Sequence, residues 1–349
     1  MAMGIRIVLT GPRGEQDRRT VLAVCLVWLL VVPGGRADSG LLPGSVRPVH
    51  TYSIVARDPE TGQLGVAVQS HWFSVGSLVP WAQAGVGAIA TQSFIEVRYG
   101  DAGLDLMQSG LNAQRTLAAL LEADRHPEVR QVAMIDASGG VATHTGKNCI
   151  QHAGHLVGDN FSVQANLMTN PGVPEVMADA FRRAQGTLAE RMLAALDAAQ
   201  VLGGDLRGEQ SAAILVVSGE ASGRPLEDRL VDLHVEDNPE PLQELRRLLT
   251  LQTAYEYMNR GDHALERGEV DAALEAYGQA ERLVPDNMEM KFWHAVSLAN
   301  AGRIEAALPL FETIFRRDAH WRELVPRLAA AGLLTTDRHA TARIVNSGL

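Results

Sequence analysis

The chain has 349 residues, 46% hydrophobic and 21% charged, with a formal net charge of −10. That length allows about two domains, the composition is that of a globular protein, and the acidic balance argues against nucleic acid as a partner. The only two cysteines are Cys25 and Cys149.

The first segment reads as a leader rather than as fold. Arg13, Arg18 and Arg19 precede an apolar run over 21–32, which ends at Pro33-Gly34-Gly35-Arg36-Ala37. Positive charge, an apolar run too short for an ordinary membrane span, then small residues is the pattern of an export signal. Residues 1–37 are predicted to be a cleaved signal peptide. The mature protein is then periplasmic or secreted, with no membrane association. Cys25 lies inside the apolar run and not at its end, which argues against a lipoprotein anchor. Its loss would leave Cys149 alone, so no internal disulfide can form. Residues 38–50, short and Gly/Pro-containing, read as a linker or propeptide.

Thr51 opens the first strand. Tyr52, Ile54 and Ala56 alternate with Ser53, Val55 and Arg57, and Val66 and Val68 carry a second strand to Ser70. Asp58-Pro59-Glu60-Thr61-Gly62 between them has turn chemistry. The stretch 71–81 reads as a loop with aromatics, and 85–93 as a buried strand. Two helices are predicted over 99–110 and 112–124, with Asn112 as N-cap. Strands over 129–136 and 141–145 form a hairpin on Ala137-Ser138-Gly139-Gly140. A polar loop, 147–160, precedes a strand over 161–167. Helices over 174–185 and 187–202, a glycine-rich loop over 203–211, strands over 212–217 and 230–235 and a closing helix over 241–249 complete this part. The order of strands and helices predicts an α/β (α+β) layered domain with a mostly antiparallel sheet.

From 253 the pattern is helical and repeats. Gly268 and Gly302, Ala273 and Ala307, Tyr277 and Phe311 are each 34 residues apart. That period, with small residues in the first helix and Ala plus an aromatic in the second, resembles tetratricopeptide repeats. Helix pairs are expected over 254–266 with 270–283 and over 288–301 with 304–316, capped by 321–331. Two repeats are fewer than the three such arrays usually need, so they are expected to pack on the first domain or on a second chain. The boundaries follow: 51–250 for the first domain, 251–334 for the repeats, 335–349 for a tail.

No P-loop, dinucleotide fingerprint, His-Glu-x-x-His or Gly-x-Ser-x-Gly occurs, which removes several enzyme classes. Two constellations remain. A threonine with a free α-amine can use that amine as its own base. It then needs an oxyanion hole and orienting groups, for which Gln92, Ser93, His144, Asn166, Asp205 and Gln210 are candidates at strand ends and polar turns. On β-propensity alone, a threonine in a first strand is more often merely a strand former. The second constellation is His144, Cys149, His152 and His155 in one short loop. These types bind zinc, and Cys149 with His144 could pair as nucleophile and base, but the spacing fits no standard finger and an ordinary polar loop explains it.

Several blocks between about 51 and 249 resemble the DUF1028 family. They are Thr51-Tyr52-Ser53-Ile54-Val55-Ala56-Arg57-Asp58-Pro59-Glu60-Thr61-Gly62, Gly76-Ser77-Leu78-Val79-Pro80-Trp81-Ala82, His144-Thr145-Gly146 with Cys149, Gly154-His155, Phe161-Ser162-Val163-Gln164-Ala165-Asn166-Leu167 and Gly204-Asp205-Leu206-Arg207-Gly208-Glu209-Gln210-Ser211-Ala212. The resemblance implies a four-layer αββα fold of the N-terminal-nucleophile (Ntn) hydrolase type, whose enzymes cleave amide bonds without metal or organic cofactor. By the resemblance Thr51 is the small residue that opens the first strand; with Thr51 as nucleophile, the candidates are expected to act as Asn166 at the oxyanion, Asp205 and His144 orienting the amine, and Gln92, Ser93 and Gln210 on a small amide substrate. The family often has Gly where this chain has Ala165. Here His50 precedes Thr51, so a free amine requires scission at His50–Thr51 or trimming of 38–50. Without it, the chain is expected to be a binding or scaffold protein whose repeats recruit a protein partner or a second copy.

Overall fold

A computed structural model describes residues 51–349. The expected signal, 1–37, and the linker or propeptide, 38–50, lie outside the described residues.

Two antiparallel sheets form the centre of the first domain. The larger has the order β10-β9-β2-β1-β8-β7 and the smaller β3-β4-β5-β6. Their strands are β1 Thr51–Arg57, β2 Leu64–Ser70, β3 Pro80–Gln83, β4 Gly87–Ser93, β5 Arg130–Asp136, β6 Val141–Thr145, β7 Gly154–Gly158, β8 Phe161–Ala165, β9 Ser211–Val217 and β10 Arg229–Val235. Every pairing within the sheets is antiparallel. Alternation assigns the faces. Val55, Val66, Ala88, Ala133, Ile135 and Leu215 meet between the sheets. Tyr52, Ile54 and Val163 point the other way, onto α3 Val173–Arg183 and α4 Leu188–Val201. Ile89, Val132 and Met134 face α1 Arg98–Gln108 and α2 Ala113–Ala123. The result is the expected αββα stack. Each fully buried Val, Leu or Ile in these layers contributes about 1.5–3 kcal/mol.

Local chemistry fixes the helix starts. Asn112 accepts the Arg115 N–H at 2.9 Å, and Thr187 forms a full capping box with Glu190. Asp136 ties the β5–β6 hairpin to α2: its carboxylate accepts the N–H groups of Ser138, Gly140 and Ala113 at 2.9–3.0 Å.

Four elements differ from expectation. Part of the aromatic loop is the edge strand β3. Part of the polar loop is β7, whose residues alternate between partly buried and exposed; so little burial leaves a faint apolar signal. The closing helix and the first repeat helix are one continuous α5, Pro241–Glu266. The expected tail, 335–349, contains α10.

The repeats continue as α6 Val270–Leu283, α7 Met288–Asn300, α8 Ile304–Arg317, α9 His320–Ala330 and α10 Arg338–Val345. Three hairpin turns place a glycine at the same φ of 75°: Gly268, Gly302 and Gly332. Only glycine takes that left-handed conformation cheaply. The array thus has a third, shorter helical hairpin, and Ile344 of α10 is fully buried in its core.

Candidate functional site

The layer between the sheets changes character along its strands. It is apolar toward Arg57 and polar toward Thr51. Thr51 and Ser53 of β1, Ser70 of β2, Gln92 of β4, Gln131 of β5 and Gln164 beside Asn166 at the end of β8 are all fully buried. Buried polar side chains need partners, and these find one another across the layer. Ser53 donates to Gln92 Oε1 at 2.7 Å. Gln92 Nε2 donates to Gln131 Oε1 at 2.7 Å and to the Thr51 carbonyl at 3.1 Å. Asn166 Nδ2 donates to the same Gln131 Oε1 at 2.9 Å. The Gln131 amide nitrogen donates to the Ala165 carbonyl at 2.9 Å and to Thr145 Oγ1 at 3.0 Å. Gln131 therefore fixes the amides of both Gln92 and Asn166. The Thr51 hydroxyl donates to Ser70 Oγ at 3.1 Å, and the Asn166 backbone N–H donates to the Thr51 carbonyl at 3.1 Å.

Asp205 stands at the start of β1. That strand lies between β2 and β8, so the residues just past Ser70 and just past Asn166 flank its beginning. The glycine-rich loop is tied to both. The Asp205 carboxylate accepts the His71 N–H at 3.3 Å, Leu206 N–H donates to the Leu167 carbonyl at 3.1 Å, and Gln210 N–H donates to the Ser70 carbonyl at 3.2 Å. Asp205 also bridges to Met168. Its side chain is fully buried, and the carboxylate is gripped bidentately by Arg207, Nε at 3.0 Å and Nη2 at 2.7 Å. The loop thus crosses the end of the strand at which Thr51 sits.

The other candidates are dispersed. His144 pairs in register with Val132, whereas Thr145 pairs with Gln131. Val132 belongs to the α1–α2 layer, so His144 faces away from the space between the sheets, with Nε2 2.7 Å from the Pro127 carbonyl. The Gln210 side chain donates to Asp237 at 3.1 Å on the surface. Ser93 ends β4, buried, with φ of 67°, beside Cys149. Burial pushes the Cys149 thiol up, which opposes thiolate formation, and its Sγ donates to the Arg130 carbonyl at 3.4 Å. His152 bonds the Met168 carbonyl and His155 bonds Thr145 Oγ1. Among the described residues no group of three or more His, Cys, Asp or Glu is placed to hold a metal ion.

Gln131, Ser53 and Ser70 escaped the sequence reading. The signal that finds them is period two: in strands otherwise apolar and buried, the polar residues fall on one face near one end.

The family model described as a family of unknown function, DUF1028, matches residues 51–245. A tetratricopeptide-repeat model matches residues 258–320. Among solved structures, the chain is similar to the crystal structure of protein SPO2555 from Silicibacter pomeroyi, which carries the same family model. The two are 28% identical with a TM-score of 0.53, over 58% of this chain and 89% of that one. No curated protein matches the chain.

Proposed function

This chain belongs to the DUF1028 family, and from that premise we propose that it is an exported amide hydrolase of the Ntn type with Thr51 as nucleophile. The observation that carries the reading is the convergence on Thr51. The residue begins the central pair of strands, faces a buried layer of amide side chains, and has the Asp205 carboxylate beyond its N-terminal side. Export through residues 1–37, then scission at His50–Thr51 or trimming of 38–50, would give Thr51 a free α-amine. That amine, oriented by Asp205, takes the hydroxyl proton as Oγ1 attacks the carbonyl carbon of a small amide. Asn166, held by Gln131, donates to the oxyanion. The C–N bond breaks, the leaving nitrogen takes the proton, and water then cleaves the ester on Thr51. No metal or organic cofactor enters these steps. His144 has no part in this scheme, and Gln210 contributes its backbone rather than its side chain.

A second reading rests on the repeat match. Tetratricopeptide arrays serve protein contact, so a chain whose Thr51 is never freed would act as a binding or scaffold protein through its repeats.

The test is the N-terminal sequence and intact mass of the exported protein, followed by turnover of a panel of small amides. Thr51 at the N-terminus, activity abolished by Thr51→Ala and retained in part by Thr51→Ser, is the expected outcome. A mature chain that begins before Thr51, with no amide turned over, supports the scaffold reading.

A further inference from the structure

The two sheets differ in width. Six strands face four, so the inner face of β9 and β10 extends beyond β3, the edge of the smaller sheet. The space left is a cleft of about 830 Å³, within the range of about 300–1,000 Å³ usual for ligand sites. Its apolar lining comes from both sides of β3: Leu215 and Val217 of β9 on the side between the sheets, and Trp81 on the α1 side. Trp81 is held in place from two sides. Its ring lies against Gly100 of α1, where a Cβ would come within 2.2 Å of the indole, and its Nε1 donates to the Leu78 carbonyl at 3.0 Å. One wall is α1, which presents Asp101 and Asp105 one turn apart; the other is β10. The β9 side is remote from Thr51, because Val217 pairs with Leu64, at the opposite end of β2 from Ser70.

Two properties select an occupant. The first is the free edge of β3. Thr91 N–H donates to the Val79 carbonyl at 3.2 Å, so by antiparallel alternation Trp81–Ile89 is the next hydrogen-bonded pair. Ala82, opposite Ala88, then directs its N–H and C=O outward. Pro80, the other outward position of this four-residue strand, has a carbonyl but no N–H, so Ala82 is the donor through which β3 can take on an extended strand. The second property is charge. Of the cleft carboxylates, Asp232 is bonded to Arg229 at 2.5 Å, and Asp228 accepts the Ser222 N–H at 3.1 Å. Asp101 and Asp105 are exposed and pair with no cation among the described residues.

We propose that this cleft binds an extended peptide segment bearing lysine or arginine. The segment pairs its backbone with Ala82 on β3, lays its apolar side chains on Leu215 and Val217, and sets the alternate, cationic ones beside Trp81 against Asp101 and Asp105. This binding requires no turnover and stands independently of Thr51.

The test is fluorescence anisotropy of the purified full chain with a labelled peptide of alternating lysine and valine, against a glutamate–valine peptide of equal length. The expected result is binding of the lysine peptide alone, weakened about tenfold by Asp101→Asn with Asp105→Asn and by salt. Ala82→Pro removes the outward donor without touching a charge, and proline is tolerated at such an edge position; it is expected to weaken binding as well, with its thermal melt reporting that the fold is kept. Equal binding of both peptides, binding of neither, or binding that survives the aspartate variants overturns the proposal. Loss in the aspartate variants with full binding by a folded Ala82→Pro protein overturns it too, since strand pairing is then absent.

Discussion

Gln131 shows how much of the Thr51 end depends on one side chain. Its Oε1 accepts from Gln92 and Asn166 together, so Gln131→Leu leaves two buried amides short of a partner. Each orphaned group costs about 1–3 kcal/mol, and a lowered denaturation midpoint is the expected result in urea. Asn166→Ala is expected to keep the fold better and to lower kcat on a cleaved amide by about 10²–10³, the usual effect of losing an oxyanion donor. Acid sensitivity has a separate origin. Burial works against the charge on Asp124, but hydrogen bonds from Arg130, His126 and Tyr99 outweigh it and hold the carboxyl below its usual range. Burial likewise opposes the charge on Asp136, and Ser138, Ala113 and Gly140 outweigh it. A depressed folded value means that the stabilisation is complete above the unfolded carboxylate pKa of about 3.9 and is lost as pH falls through the folded value. Thermal melts should therefore drop steeply below about pH 4, and Asp124→Asn should flatten that drop while lowering the melt at neutral pH. The positions of Thr51, Asn166 and Asp205 at strand ends and in a glycine-rich loop were legible from the sequence, because strand patterns and turn residues mark those ends. His144 was misplaced because adjacent strand residues face opposite sides, and only the β5–β6 register decides which of His144 and Thr145 meets Gln131.

At the scale of elements, the sequence speaks most clearly where burial is one-sided. The β1–β2 hairpin, the capped helices α2 and α4, and the 34-residue repeat were all legible, because turn residues, caps and periodic apolar positions coincide there. β7 was not, since an exposed edge strand carries little hydrophobic pattern. α10 was not either, because an eight-residue helix with one fully buried side chain gives no periodicity to count. Ile344 is that side chain, fully buried against the third hairpin. Ile344→Ala is expected to cost about 2–5 kcal/mol, read as an earlier melting transition. A melt unchanged by the substitution would mean that α10 adds nothing to the array.

At the scale of the whole molecule, α5 joins the two architectures. Leu242, Leu245 and Leu249 lie in the core of the αββα stack, and Ala254 and Met258 lie in the core of the first repeat. The sequence suggested a break between 249 and 254, where Thr250 and Thr253 lower helix propensity. Nothing there stops a helix, and both hydroxyls return to carbonyls one turn back at 3.0 Å. Twenty-six residues at 1.5 Å each make a rod of about 39 Å. The repeat array is thereby carried on the same helix that seals the larger sheet.

That shared rod has a bearing on how the chain meets proteases. Enzymes that nick folded proteins need a slack, extended stretch of backbone, and the boundary between most domains supplies one. Here the boundary is the middle of a hydrogen-bonded helix. Limited trypsin digestion should therefore spare the bonds after Arg246 and Arg247 until the whole protein unfolds. Early release of an intact N-terminal fragment ending near residue 247 would show that the helix opens there on its own. Short of that, the repeats cannot be shed without first pulling leucines out of the neighbouring core, so the two parts survive or perish together.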